Sequence, residues 1–197
     1  MKTFEDYKEL ALRTESTKLP LTEETVTRGL SNRLFHAILG ITTEINEIYD
    51  AIEDKLYTDY DMVNILEEFG DMSWYLAIAC DDRKLVIDFN IDAIDEGYMV
   101  ENFKIKQIRQ TASELLDHSK KVMFYGKHLD EKLVEAGVKD LLNLVFISIL
   151  SLQGNIKNVL QANILKLKAR YPDSFSDFHA ENRDLDKERE ILESNSK

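Results

Sequence analysis

The chain has 197 residues, 44% of them hydrophobic, which is enough to bury one sizeable core and points to one domain or a domain with an extension. Its 37 acidic and 25 basic side chains give a formal charge of −12, and no block of lysine or arginine offsets it locally, so polymeric nucleic acid and anionic membrane surfaces are disfavoured as partners. An acidic field does suit divalent cations, and a cation held in it can present positive charge to a small anionic substrate.

Seven glycines and two prolines punctuate the sequence, and apolar residues recur at helical spacing almost throughout, which predicts an all-α fold without strands. A short helix over about 2 to 14 leads into the loop "TESTKLPLTEET", which contains Pro20. The next helix, about 28 to 55, carries Leu34, Ile38, Ile41, Ile45, Ile48 and Ile52, an alternating four-three spacing that makes one apolar seam. Asp59 or Asp61 is suited to cap a third helix with the stripe Met62, Ile65, Phe69, Met72 and Leu76, and these two helices can form an antiparallel hairpin. Residues 80 to 99 read as a linker or a short helix. Helical pattern returns over about 99 to 125 and 129 to 170, where Gly137 and Gly154 can bend or interrupt it, and Tyr171-Pro172 ends it because proline cannot continue the hydrogen-bond ladder. The charged remainder from 176 is predicted to be an extension with one exposed helix from about 182, leaving residues 1 to 175 as the domain.

The single Cys80 cannot form an intramolecular disulfide, and the start "MKTFEDYKEL" lacks the apolar core of a secretory signal. The expected location is the cytoplasm. The longest apolar stretch, "LLNLVFISILSL" at 141 to 152, is too short for a membrane span and is expected to be a buried helix. Its apolar surface is wider than one partner helix covers, which predicts self-association. "LEEFGDMSWYLAI" can also be laid on "VKDLLNLVFISIL", placing Glu68 over Asp140 and Asp71 over Asn143. Either a duplicated hairpin or a chance likeness of two amphipathic helices accounts for it.

The residues suited to chemistry lie beside the apolar seams. At about 100° per residue, Glu44 falls roughly 60° from the seam of its helix and Glu47 further out on the same side. Glu68 and Asp71 repeat that separation on the next helix. If the two helices pack antiparallel along their stripes, four carboxylates converge, and they repel unless something positive sits between them. Oxygen ligands in a loose cluster, with room for water and phosphate, suit Mg²⁺. The alternative is two solvated faces in an acidic chain. Asn163, Lys166 and Arg170 in "NILKLKARYP" share one helix face, where a lysine and an arginine suit phosphate oxygens; a basic last turn that complements the helix dipole is the other explanation.

Together, E-x-x-E at Glu44 and Glu47, E-x-x-D at Glu68 and Asp71, and N-x-x-K-x-x-x-R-Y-P from Asn163 to Pro172 resemble the MazG-like all-α nucleoside triphosphate pyrophosphohydrolases. Small viral members look most alike in "RYPDSFS" and "NRDLDKERE", which for a viral protein would make the location the host cytoplasm. The resemblance covers residues 28 to 80 and 155 to 185, while 81 to 130 is longer than a minimal member needs. It implies a helical bundle, here with an added helical segment and a charged tail. It also implies Mg²⁺, with Mn²⁺ able to substitute, on Glu44, Glu47, Glu68 and Asp71. The implied reaction converts a nucleoside triphosphate to the monophosphate and pyrophosphate, in a dimer or tetramer. On this reading Glu47 accepts a proton from water, Lys166 and Arg170 neutralise phosphate charge, and Asn163 and Tyr171 position the substrate. Asn32 and Arg33 are further candidates to reach the nucleotide. Thr43 stands where many members carry a second acid, and either back-bonds in its helix or orients a ligand. His36, Trp74 and Tyr75 are read as core residues, with a ligand-side histidine and a base-stacking platform as the alternatives. A nucleotide sensor without turnover and a helical interaction protein are the competing functions.

Overall fold

The computed structural model describes residues 1–16, 20–53, 60–89, 91 and 104–195. These form α1 (Phe4–Ala11), a 3-10 turn (Leu12–Thr14), α2 (Glu23–Thr27), α3 (Asn32–Glu53), α4 (Met62–Asp82), α5 (Ile105–Tyr125), α6 (Glu131–Ser151), α7 (Ile156–Arg170), α8 (Asp177–Glu181) and α9 (Leu185–Asn195). The fold is all-α, with no strand among the described residues.

Side chains at the helix starts explain many of the boundaries. Asp61 accepts from the Asn64 amide and starts α4, Asp130 accepts from the Lys132 and Leu133 amides and starts α6, and Asn155 accepts from the Asn158 amide and starts α7. The predicted cap is therefore Asp61, and Asp59 lies outside the described residues. Gly137 is accommodated within α6, whereas Gly154 falls in the break between α6 and α7. Of the stretch from 80 to 99, residues 80 to 82 complete α4, 83 and 84 turn, and 85 to 89 form a loop without regular structure, the rest lying mostly outside the described residues.

Helices α3 and α4 make the most extensive contact in the molecule, and α5 and α6 form a second hairpin beside them, with α3 against α5 and α4 against α6. The first hairpin is antiparallel. Ser31, which accepts from the Leu34 amide at the start of α3, donates to Asp82 at the end of α4, and Arg33 pairs with Asp81. The seam read from the sequence is the buried one: Leu34, Ile38, Ile41, Ile45 and Ile48 of α3 meet Ile65, Phe69, Met72 and Leu76 of α4, all essentially inaccessible. Each such side chain contributes roughly 1.5–3 kcal/mol relative to leaving it exposed. Close approach is possible at Gly40, where a Cβ would stand 2.1 Å from the Tyr75 ring. This contact sets the spacing of the hairpin one turn from Glu44.

One expectation loses its basis and another is corrected. The apolar surface of α6 is covered inside the chain, with Leu141, Leu142, Val145, Phe146 and Ile149 buried among α4, α5 and α7, so it carries no argument for self-association. The charged C-terminal segment is not one exposed helix but two, of which α9 packs along α7, burying Leu192 and Glu188 and pairing Arg189 with Asp61. An amphipathic pattern too short to stand out among so many charges is enough once another helix lies against it. No helix among the described residues is long and apolar enough to cross a membrane.

Candidate metal and anion site

Glu44 on α3 and Glu68 and Asp71 on α4 each offer a carboxylate oxygen within 4.8 Å of the others. They line a cavity of about 490 Å³, together with the exposed Glu47 one turn along α3 and Glu67 on α4. The antiparallel seam produces this convergence, since it places the edges of the two helices side by side.

Helix α7 closes the cluster from behind. It comes so near α4 that a Cβ on Gly70 would lie 3.2 Å from Asn163 Cβ. Asn163 Nδ2 donates to Asp71 Oδ1 at 2.6 Å, and the Tyr7 hydroxyl on α1 donates to Asn163 Oδ1 at 2.8 Å. Lys166 Nζ lies 2.6 and 2.7 Å from the two Asp71 oxygens and 3.0 Å from Glu67 Oε1. Asp71 is thus held in one orientation by an amide and an ammonium.

This corrects two roles. Lys166, expected on an exposed face, is fully buried, because α4 and α9 cover that side of α7; its charge is spent on Asp71 and Glu67. Asn163, also buried, lies behind the acids and orients one of them instead of lining the cavity. A buried lysine raises little suspicion in a sequence where basic residues crowd the last turn of a helix.

The acids are not neutralised by what surrounds them. Burial first, and then the charge of Asp71, raises the Glu44 carboxyl above the usual range, and burial followed by the hydrogen bond to Glu44 raises Glu68 further. One ammonium serves Asp71 and Glu67, and no lysine or arginine pairs directly with Glu44 or Glu68 among the described residues. Three converging carboxylates beside an open cavity, two of them disfavoured as bare anions by burial, are a fitting donor set for a hard divalent ion.

Aromatic side chains form another wall. His36 packs edge-on against Trp74 and Tyr75 at centroid distances of 5.9 and 5.4 Å, and burial lowers its proton affinity. Trp74 Nε1 donates to the Ala11 carbonyl and to Thr14 Oγ1, so its ring is fixed. All three line the cavity, and Trp74 and Tyr75 are also packed against the core, so the two rings meet the expected core role while facing the site. Thr43 donates to the Gly40 carbonyl at 2.8 Å, the back-bond of its first reading, and its hydroxyl also lies 3.4 Å from Glu44 Oε1, the contact its second reading requires.

The basic wall comes from the end of the chain. Tyr171 is buried against Phe175, and Arg170 beside it lines the cavity. Arg170 is paired with Glu188 on α9, and Arg183, which precedes α9, shares the same carboxylate. Burial opposes ionisation of Glu188, but the hydrogen bonds from Arg170 and Arg183 outweigh it and hold the carboxyl down at about 2. Tyr7, Glu67, Arg183 and Glu188 all escaped the sequence reading. The stretch "NRDLDKERE", singled out by its charge and by its likeness to small viral members, contains the last two, but neither signal picks out the residues and the charge equally suits a solvated helix.

Asn32 and Arg33 lie elsewhere. Asn32 accepts from the Leu21 amide, Arg33 is held between Glu15 and Asp81, and neither lines the cavity. Compared with protein-family models, with curated proteins and with solved structures, the chain matches none of them.

Proposed function

We propose that this protein is a divalent-cation-dependent pyrophosphohydrolase of the MazG-like kind, converting a ribo- or deoxynucleoside triphosphate to the monophosphate and pyrophosphate. The observation that carries the reading is the pairing of Glu44, Glu68 and Asp71 within 4.8 Å with two arginines on another wall of the same cavity. A polyphosphate bridged to acids by a cation needs both ends of such a site.

Glu44, Glu68 and Asp71 would hold Mg²⁺, or Mn²⁺ in its place, while Glu47, expected as a fourth ligand, stands outside that trio and lines the same cavity. The ion, when bound, lowers the proton affinity of a water and offsets charge on the phosphate chain. Lys166 and Asn163 keep Asp71 turned toward the cavity, which removes the reorientation that a free aspartate would need. Glu47, exposed at the cavity edge, accepts the proton of the attacking water. Arg170 faces the departing phosphates, and His36, Trp74 and Tyr75 offer edges and faces to the nucleoside. By the same resemblance, the working form is a dimer or tetramer.

The test is a panel of all ribo- and deoxynucleoside triphosphates incubated with the protein in Mg²⁺ and in chelator, with products separated by chromatography. Monophosphate and pyrophosphate are expected only with the cation, and Glu68→Gln should lower the rate by about 10²-fold or more. Diphosphate and orthophosphate as products would overturn the reading. Binding without turnover would leave a nucleotide sensor.

A further inference from the structure

Arg183 enters the reading above only as part of the cavity wall and Glu188 not at all, yet their geometry is that of a built anion site. Glu188 Oε2 accepts from Arg170 Nη2 at 2.5 Å and from Arg183 Nη2 at 2.6 Å, while Oε1 accepts from Arg170 Nε at 2.8 Å. Two guanidinium groups, from the end of α7 and from the segment before α9, are thereby brought to one point. One carboxylate for two cations leaves a surplus positive charge.

Where that charge faces matters more than its size. Both arginines line the cavity that holds the acids, whereas Glu188 lines a separate one of about 100 Å³ on the other side of Arg170. The carboxylate supports the pair from behind. Neither arginine forms an ion pair with the five cavity acids among the described residues, although the cavity is rich in them. A guanidinium has five N–H donors. Arg170 Nη1 and Arg183 Nε and Nη1 meet no acceptor among the described residues, and Arg170 is further held over the Tyr171 ring, 5.9 Å from its centroid. The cavity is therefore polarised, with carboxylates on one wall and a cationic pair with unused donors on another.

We propose that Arg183 acts with Arg170 as a two-guanidinium subsite for the phosphate groups of a polyphosphate chain that lie farthest from the acids, and that Glu188 is the positioning residue that sets both. The assignment of the phosphates rests on the reading of the cavity as a nucleoside triphosphate site. The C-terminal segment thus supplies part of the binding surface. Its docking does not depend on the pair alone, because Leu192 is buried and Arg189 is held by Asp61.

The experiment measures binding of inorganic tripolyphosphate with Mg²⁺ by titration calorimetry, and kcat and KM for the best nucleotide, in the wild type, Arg183→Ala, Arg183→Lys and Glu188→Gln. Arg183→Ala should lose about tenfold or more in tripolyphosphate affinity and raise KM similarly, with a smaller change in kcat and an unaltered thermal midpoint. Arg183→Lys should restore part of the affinity, since it returns a charge without the fork. Glu188→Gln should lose less than Arg183→Ala. Leu192→Ala, which loosens α9 without touching either arginine, distinguishes anchoring from binding: an equal loss of affinity in that variant would overturn the proposal. So would unchanged affinity and KM in Arg183→Ala, or a wild type that binds no tripolyphosphate. Tripolyphosphate binding that depends on Arg183, in a protein that hydrolyses no nucleotide, would sustain the subsite and defeat the pyrophosphohydrolase reading instead.

Discussion

The two central hairpins are built on similar helices and treat their polar residues in opposite ways. Glu68 and Asp71 on α4 face a cavity, with Glu68 buried, whereas Asp140 and Asn143, which the sequence alignment lays over them, are exposed on α6. The buried registers agree: Phe69 and Leu141 are both buried, as are Leu76 and the polar Ser148. The difference is what lies outside each hairpin. Helix α4 is also flanked by α1, α7 and α9, while α6 meets α7 over a short stretch and touches Phe4 of α1 and Phe89 through Phe146. A carboxylate at the edge of a helix is a solvated group until another helix covers it, and only then does its charge require a partner.

The sharpest way to break the comparison is to remove the buried cation from the first hairpin. Lys166→Met should leave Asp71 and Glu67 uncompensated and cost about 3–5 kcal/mol, lowering the thermal midpoint by roughly 10 °C. Lys139→Met, which removes a lysine paired with Glu135 on the open face of α6, should change stability by no more than about 0.5 kcal/mol. Equal midpoints for the two variants would mean that cover does not distinguish the hairpins.

A smaller effect follows from protonation. In the fold the Glu44 and Glu68 carboxyls bind protons more tightly than the ordinary value of 4.5. Raised pKa values stabilise the fold fully below 4.5, and the contribution is lost as pH rises through the folded values. The metal-free protein should therefore melt at a lower temperature as pH rises toward the mildly alkaline range. Glu68→Gln should flatten that slope, and Mg²⁺ should reverse it by binding the ionised cluster. Melting curves in chelator across pH decide this; a slope identical in wild type and Glu68→Gln contradicts the assignment of the cluster.

The smallest effect belongs to the second hairpin. Asp140→Asn and Asn143→Ala should each alter stability by no more than about 0.5 kcal/mol and leave nucleotide turnover unchanged, since both side chains are exposed. A rate loss in either variant would extend the site to α6.

Much of this architecture was legible beforehand. The seam from Leu34 to Ile48 and the stripe from Ile65 to Leu76 are apolar at helical spacing because they are buried against each other, so periodicity and packing report the same fact. The two acidic pairs were visible for a related reason: residues beside a seam are carried along with it when the helices meet. Asn163 and Lys166 were picked from the sequence, but for contact with a ligand, and they hold Asp71 instead. Periodicity gives a residue its face, and the face says nothing about which other segment will cover it.

What the sequence determined by itself is therefore the set of helices, their buried stripes and the edge on which Glu44, Glu47, Glu68 and Asp71 stand, because these follow from local periodicity and capping. Tertiary structure decided which charges are compensated by a basic side chain and which are not. Tyr7 reaches Asn163 across 156 positions of sequence, Lys166 reaches Asp71 across 95, and Glu188 gathers Arg170 and Arg183 only because the chain folds back after Pro172. Each of these contacts depends on where a remote helix comes to lie against α4 or α7, a position set by the packing of the whole core and carried by no pattern within either segment.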